Sequence, residues 1–413
     1  MKRRVVITGQ GIVSPIGNTV IEAYQNAIKG VNGIAPITLF PTDDWKVKIA
    51  GEVKNLDFEA FVDKKSIKRQ DRAINLALVA AHEAYLQSGL NEDNIGDPFR
   101  FGTFVGSGIG GLTTINKETA TSVTRGLDRM SPFFIPAAII NLIGGAISMQ
   151  YQAKGPNLPV VTACSAATNS MGEAFRYIRD GYLDIAFTGG AEAPINPIGV
   201  AGFANMRALS NEEDMNKASV PFDARRGGFV IGEGAGIFIF EEYERAKARG
   251  ANILAEVVGY GSTSDAFHIT APDTEAEGVT RALLEALKDA NINPEDIDYI
   301  NAHGTGTPLN DKFETLGIKK VFKEHAYKLN VSSTKSMTGH SLGASGALES
   351  VFVVETLRHG IIPPTINYVE KDPDCDLNYT VNVAQKKLCQ YGINMNLGFG
   401  GQNAVMIFKR VSE

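Results

Sequence analysis

Residues 73–111 and 279–308 pass through the same succession of elements, and a chain that repeats a whole motif is constrained to build two similar units around a shared core. "AINLALVAAHEAYLQSGL" (73–90) sets Ala77, Ala80, Ala81 and Ala84 among Leu and Val at helical spacing. A turn, "NEDNI", leads to "FRFGTFVGSGIGG", a strand that runs into a glycine-rich loop. The second stretch, "VTRALLEALKDANINPEDIDYINAH", repeats helix, turn and strand before the polar loop "GTGTP". A further echo follows in each half. "LPVVTA", Cys164 and a helix closing at "RDG" parallel "LNVSST", Lys335 and a helix closing at "RHG". Helices alternating with strands predict parallel sheet layers covered by helices, in halves spanning 1–250 and 251–413. Loops at the carboxyl ends of the strands are where such folds build their sites.

Composition narrows the classes. With 44% hydrophobic and 21% charged residues in 413, the chain can bury a large core. A net charge of −6 argues against a nucleic-acid binder. Three cysteines (Cys164, Cys375 and Cys389) with no CxxC pair make neither a disulfide framework nor a zinc cluster, which fits a reducing, cytoplasmic setting. The basic start "MKRRVVITGQG" reads as a first strand broken by Gly9 and Gly11, not as a secretory leader. "MSPFFIPAAIINLIGGAISMQYQA" (130–153) carries no charge. Its two prolines and its glycines predict a buried or interface segment, since lipid would leave the broken backbone bonds unpaired.

Cys164 falls where the apolar run "PVVTA" meets the small residues of a helix. A thiol at such a turn feels the helix N–H groups and dipole, so a lowered thiol pKa is expected. An isolated cysteine more often just fills a core turn. Two histidines stand in matching contexts: His303 opens "GTGTP" after the strand "IDYINA", and His340 lies among small residues in "SSTKSMTGHSLGASGALE". One cysteine and two histidines converging would support covalent acyl chemistry. A hydrolase needs only one imidazole base. Two imidazole N–H donors aimed at one point would instead stabilise a thioester oxygen as it becomes an enolate, after a malonyl unit loses carbon dioxide.

"TACSAATNS", "NAHGTGTPLND", "SSTKSMTGHSLGASGALE", "PFDARRGGFVIGEGAG" and "GFGGQN" together resemble the β-ketoacyl-acyl carrier protein synthase family over nearly the whole chain. The Cys-His-His set and "GSGIGG" resemble its type II members more than type I or III. The resemblance implies an α/β thiolase-like fold with duplicated halves in a five-layered α/β/α/β/α sandwich, in a homodimer. It implies a ping-pong reaction in which an acyl chain moves from an acyl carrier protein to Cys164 and is then condensed with malonyl carrier protein. No cofactor or metal is implied, because the substrates ride on the carrier's phosphopantetheine.

Carried over by position, His303 and His340 hold the malonyl thioester oxygen, and the N–H groups of Cys164 and Phe399 form the oxyanion hole. Phe399 is also the acyl gate, moving on Gly398 and Gly400. Lys335, with Glu349, orders the site. Thr305, Thr307 and Thr270 border the pantetheine tunnel; Ile109, Phe133 and Phe134 line the acyl pocket, the last two from the other subunit. Carrier proteins are acidic, and "DKKSIKRQDR" offers Lys65, Lys68, Arg69 and Arg72 at helical neighbour spacings for docking, joined by Arg129 and Arg207.

The chain departs from the family pattern at three places. Met395 and Asn396 stand where Asn-Ser is usual, Val220 where arginine usually precedes "PFD", and Gly227 where aspartate is usual. The first change weakens the expectation of the monovalent cation that relatives sometimes hold near Asn301 and Glu349, which the sequence leaves open. The other two remove a structural pair together, leaving no lone charge. A thiolase would carry a second cysteine where "LGFGGQN" stands, type III synthases replace a histidine by asparagine, and non-catalytic partner subunits lack the cysteine. A polyketide ketosynthase stays open as a relative.

Overall fold

The two halves meet along one ladder of strands. The computed structural model describes residues 2–411. Nine strands form its main sheet: β1 (Val5–Val13), β2 (Phe101–Gly106), β3 (Ile185–Glu192), β4 (Gly234–Glu242), β5 (Ala255–Ser264), β6 (Tyr299–Asn301), β7 (Asn330–Ser332), β8 (Tyr391–Gly398) and β9 (Gln402–Lys409). Their order in space is β2-β3-β4-β1-β5-β9-β8-β6-β7. Outward from the β1–β5 junction, each half runs first strand, last strand, penultimate strand, second strand, and the second half adds β7 at its outer edge. The ladder therefore repeats itself about its middle, as a duplication requires.

β1 pairs with β5 only at Val5–Ile7 against Val257–Ala255. Beyond that contact the half-sheets part and hold two helices between them, α2 (Ala166–Arg179) and α4 (Ser345–His359), each packed on strands of both halves. On the outer faces, α1 (Arg72–Ser88) covers the first half-sheet and α3 (Glu277–Ala290) the second. These are the five layers of a thiolase-like fold. Position in the layers explains sequence: α3 has one apolar stripe, whereas every residue of α4 from Ser345 to Leu357 is buried, so α4 has no solvent face to mark.

The duplication reaches the packing of single glycines. Thr8 and Val258 are each an extra residue in their ladders, and each precedes a Gly-x-Gly on the first strand of its half. A Cβ on Gly11 would lie 2.0 Å from the Ala80 carbonyl oxygen of α1, and one on Gly261 would lie 2.0 Å from that of Ala282 in α3. The outer helices touch the sheets backbone to backbone at both places.

Three expectations are corrected. The sheet layers are mixed, not parallel: only β2–β3, β8–β6 and β6–β7 are parallel. The three-residue link between β8 and β9 leaves no room for a crossover and forces an antiparallel pair. Residues 158–163 are not a strand. One bridge, Thr103–Asn157, holds this edge through hydrogen bonds from Leu158 N–H to the Thr103 oxygen (3.0 Å) and from Thr103 N–H to the Pro156 oxygen (2.9 Å), and Leu158 and Val161 are exposed. The basic stretch is not one helix either. Lys64–Ile67 is a single turn that ends before α1, and Arg72 faces inward, pairing with buried Glu233 through two 2.7 Å bonds.

The uncharged stretch 130–153 holds two short helices, Phe134–Ala138 and Asn141–Tyr151. Ile143 and Ile147 enter the core, while Ile135, Ile139 and Met149 are exposed. Among the described residues, no helix is long and apolar enough to cross a membrane.

Candidate active site

Cys164 lies in the 3-10 turn Ala163–Ser165 that leads into α2, and Ala163 takes a left-handed φ of 49° to turn the chain there. The second half repeats the turn at Leu342–Ala344, where Leu342 has φ 45°, before α4. The geometric counterpart of Cys164 is thus Gly343, not Lys335 as the sequence echo had it. Residues 335–340 are an addition of the second half, and they carry Lys335 and His340.

Cys164 is 7% exposed. Burial pushes its thiol up to about 12, against the opposing pull of Lys335 and of the backbone N–H groups of Phe399 and of Cys164 itself. The expected lowering of the thiol pKa is therefore corrected: desolvation of a thiolate at this depth outweighs the helix N-terminus. The same pull shows where the donors are, since the Phe399 and Cys164 N–H groups both bear on the sulfur.

His303 follows β6 by two residues and His340 follows the short helix Lys335–Thr338 by two. Their rings meet edge to face, with centroids 5.2 Å apart. Both are nearly fully buried. Burial, and then the Lys335 charge, hold both imidazoles well below their ordinary pKa, with His340 adding to the effect on His303. Both rings are neutral at neutral pH. The Ser345 hydroxyl lies 2.9 Å from His340 Nδ1; with that hydroxyl as the donor, Nε2 is the protonated nitrogen. Lys335 makes a buried ion pair with Glu349, whose other oxygen accepts from the Asn396 amide at 2.7 Å.

Phe399 opens the tight turn between β8 and β9. Left-handed backbone occurs at Gly400 and Gly401 (φ 89° and 74°), not at Gly398. Gly398 is small for another reason: a Cβ there would lie 2.7 Å from the Thr162 oxygen.

A cavity of about 420 Å³ joins these groups. Cys164, His303, His340, Phe399, Thr270, Thr305, Thr307 and Arg207 line it. The Thr305 and Thr307 hydroxyls are 3.0 Å apart along its wall. Lys335 stands behind the histidines. Ile109 packs in the apolar cluster that includes Cys164 and Leu342, without lining the cavity. Phe133 and Phe134 lie away from it, with the Arg69 guanidinium 4.7 Å over the Phe133 ring. Lys65, Lys68, Arg69 and Arg129 are exposed but apart from the cavity.

The first half and most of the second match, respectively, the N-terminal domain model of β-ketoacyl synthases over residues 2–246 and the C-terminal domain model over 254–369. The chain belongs to the β-ketoacyl synthase family. The 3-oxoacyl-[acyl-carrier-protein] synthase 2 of Staphylococcus aureus (strain N315) is 49% identical over 409 residues, 99% of this chain and 98% of the relative. Its namesake from Coxiella burnetii is 46% identical over 413 residues and all of both chains. Among solved structures, a type II PKS acyl-carrier protein in complex with its ketosynthase bound to the hexaketide matches over the full length of both chains at TM-score 0.93 and 33% identity. A β-ketoacyl synthase from Burkholderia phymatum STM815 does so at 0.92 and 32%.

Two residues of this ketosynthase site escaped sequence reasoning. Glu314 accepts from the His303 and Gly304 N–H groups at 2.5 and 2.7 Å and fixes the loop that carries His303. Burial pushes its carboxyl up to about 8. An acid two turns into the helix after "GTGTP" was the available signal. Asn396 was noted only as a departure. At the departures, Met395 turns into the outer core and both Glu349 oxygens are taken by Lys335 and Asn396, while the buried Asn301 Oδ1 has no hydrogen-bond partner among the described residues. Among the described residues no group of three or more His, Cys, Asp or Glu could hold a metal. Val220 is buried, while Gly227 opens onto the cavity with nothing within 4 Å of a Cβ.

Proposed function

We propose that this ketosynthase catalyses decarboxylative Claisen condensation of an acyl group with malonyl-acyl carrier protein, giving 3-oxoacyl-acyl carrier protein and CO2 in type II fatty-acid chain elongation. The observation that carries this reading is the convergence of a buried thiol and two neutral imidazoles on one cavity. In the first stage the Cys164 sulfur attacks the acyl thioester carbon, the oxyanion is met by the Cys164 and Phe399 N–H groups, and the carrier thiol leaves with the cysteine proton. In the second, the malonyl carboxylate departs as CO2, and its bonding electrons form an enolate whose oxygen is held by Nε2–H of His303 and of His340. The enolate carbon attacks the acyl carbonyl, a C–C bond forms, the C–S bond breaks, and a proton taken up from solvent returns Cys164 to the thiol. Neutral imidazoles suit this role, because a charged one would surrender its proton to the enolate. Lys335 orders the pair.

The names of the relatives support an acyl carrier protein as the donor, with Thr305, Thr307 and Thr270 along the pantetheine arm. Lys65, Lys68, Arg69, Arg129 and Arg207 would dock the acidic carrier, and Phe399 would gate the acyl chain. Ile109 would bound the acyl pocket, with Phe133 and Phe134 reaching that of a second copy in a homodimer. The halves 1–250 and 251–413, a cytoplasmic location, and independence from cofactor and metal complete the reading. Intact-mass measurement after incubation with a long-chain acyl carrier protein tests it. An acyl adduct on Cys164 that disappears when malonyl carrier protein is added is expected; no adduct, or one formed only from acyl coenzyme A, would overturn it.

A further inference from the structure

We propose that Asn396 is a positioning residue that holds His303 in the Nε2–H form and couples it to the Lys335–Glu349 pair; this rests on the condensation reading above. The orientation of the Asn396 amide is fixed by its neighbours. Glu349 can only accept, so Nδ2 must face its Oε2, at 2.7 Å. On the other side, Oδ1 accepts from the Thr168 hydroxyl at 2.5 Å and from Asn394 Nδ2 at 3.1 Å. Asn394 is itself held by the Gly346 oxygen at 2.8 Å. With Oδ1 and one Nδ2 hydrogen committed, the second Nδ2 hydrogen is directed at His303 Nδ1, 3.5 Å away. A donor facing Nδ1 makes it the unprotonated nitrogen and leaves the proton on Nε2. His340 would reach the same state with the Ser345 hydroxyl as donor to its Nδ1, 2.9 Å away.

The contact to His303 is long at rest. It would shorten as Nε2–H is drawn toward a developing enolate, because that polarisation makes Nδ1 the stronger acceptor. A serine at this position would carry one hydroxyl proton and could not donate to both Glu349 and His303.

The test uses Asn396→Asp, which keeps the shape and the acceptor toward Thr168 but removes both N–H donors, and Asn396→Ser as a smaller second variant. Three readouts are taken on the full chain: 15N histidine NMR with the His303 signals assigned by His303→Ala, acylation of Cys164 by intact mass, and decarboxylation of malonyl carrier protein. The wild type should show an unprotonated Nδ1 and a protonated Nε2 at His303. Asn396→Asp should move the proton to Nδ1 and lower decarboxylation about 10- to 100-fold, with acylation held within about 3-fold; Asn396→Ser should fall between. An unmoved His303 tautomer, or acylation and decarboxylation falling together, would overturn the proposal. Wild-type protein that acquires no acyl group would instead overturn the condensation reading, and the tautomer readout, which needs no substrate, would still decide the role of Asn396.

Discussion

Replacing Gly261 by alanine should destabilise the protein about as much as replacing Gly11, although the two residues lie in different halves. Neither has a positive φ, so the substitution costs nothing in local backbone conformation and its effect is one of contact. The new Cβ would stand 2.0 Å from a helix carbonyl oxygen in each case. An ordinary carbon–oxygen contact is about 3.3 Å, so α1 or α3 must retreat by roughly 1.3 Å. A rigid helix cannot retreat at one residue alone, and the gap it opens along the sheet forfeits a quarter to a half of each affected dispersion contact. Overpacking of this kind costs about 1–3 kcal/mol. A backbone oxygen cannot rotate away as a side chain can, which points to the upper end, less about 0.5 kcal/mol recovered from the stiffer unfolded chain. Gly202→Ala is the control. It lies inside the helix Pro197–Asn205, exposed, with nothing within 4 Å of a Cβ, and should gain about 0.5–1 kcal/mol. Urea unfolding of the three variants should place Gly202→Ala above the wild type and the other two below it by similar amounts. If Gly11→Ala or Gly261→Ala unfolds with the wild type, close helix–sheet approach is not what selects glycine there.

Cys164→Ala should abolish condensation yet retain malonyl decarboxylation, whereas His340→Ala should lower decarboxylation about 10²- to 10³-fold and still acquire the acyl group; CO2 release and intact mass separate the two. With burial holding both imidazoles neutral, decarboxylation should stay level as pH falls from 7.5 to 6, and a decline with a midpoint near the ordinary imidazole value of about 6.5 would refute the neutral-donor role. Alkylation of Cys164 by iodoacetamide should rise about tenfold per pH unit from 7 to 9 without a plateau, as a thiol pushed up to about 12 requires; a plateau near pH 8 would show a preformed thiolate. Ile109→Phe should shorten the preferred acyl chain in competition assays, because Ile109 shares the apolar cluster of Cys164, and an unchanged preference would remove it from the pocket.

What the sequence disclosed depended on whether a signal was local. The outer helices α1 and α3 were legible because each has a solvent face and an Ala-rich contact face. The segment 158–163 misled because β-branched residues mark extended chain, not pairing, and along this edge the pairing with β2 ends at the Thr103–Asn157 bridge and the Leu158 N–H bond. Matching Lys335 to Cys164 failed for a related reason. The echo counted residues from the strand, while the turn geometry at Ala163 and Leu342 aligns from the central helices. Cys164, His303 and His340 could be picked out because small residues and strand ends surround them. Asn396 could not, since its role exists only where β8 passes α4, and nothing in "NMNLGFGG" encodes that neighbour.

The corrected thiol also clarifies how the site handles charge. A preformed thiolate would bind the Cys164 and Phe399 N–H groups before any substrate arrived, and those donors would then have to be released as the oxyanion formed. A neutral thiol leaves them unspent. The two imidazoles are neutral for the same reason, burial, and the one formal charge close behind them, Lys335, is already balanced by Glu349. On the proposed mechanism the Cys164 and Phe399 N–H groups and the two imidazoles then meet their first anion in the tetrahedral adduct or the enolate, so their stabilisation falls on the transition states and not on the resting enzyme. Burial raises the energy of a nucleophilic thiolate, and the same burial keeps the oxyanion and enolate sites undischarged until the substrate itself brings the charge.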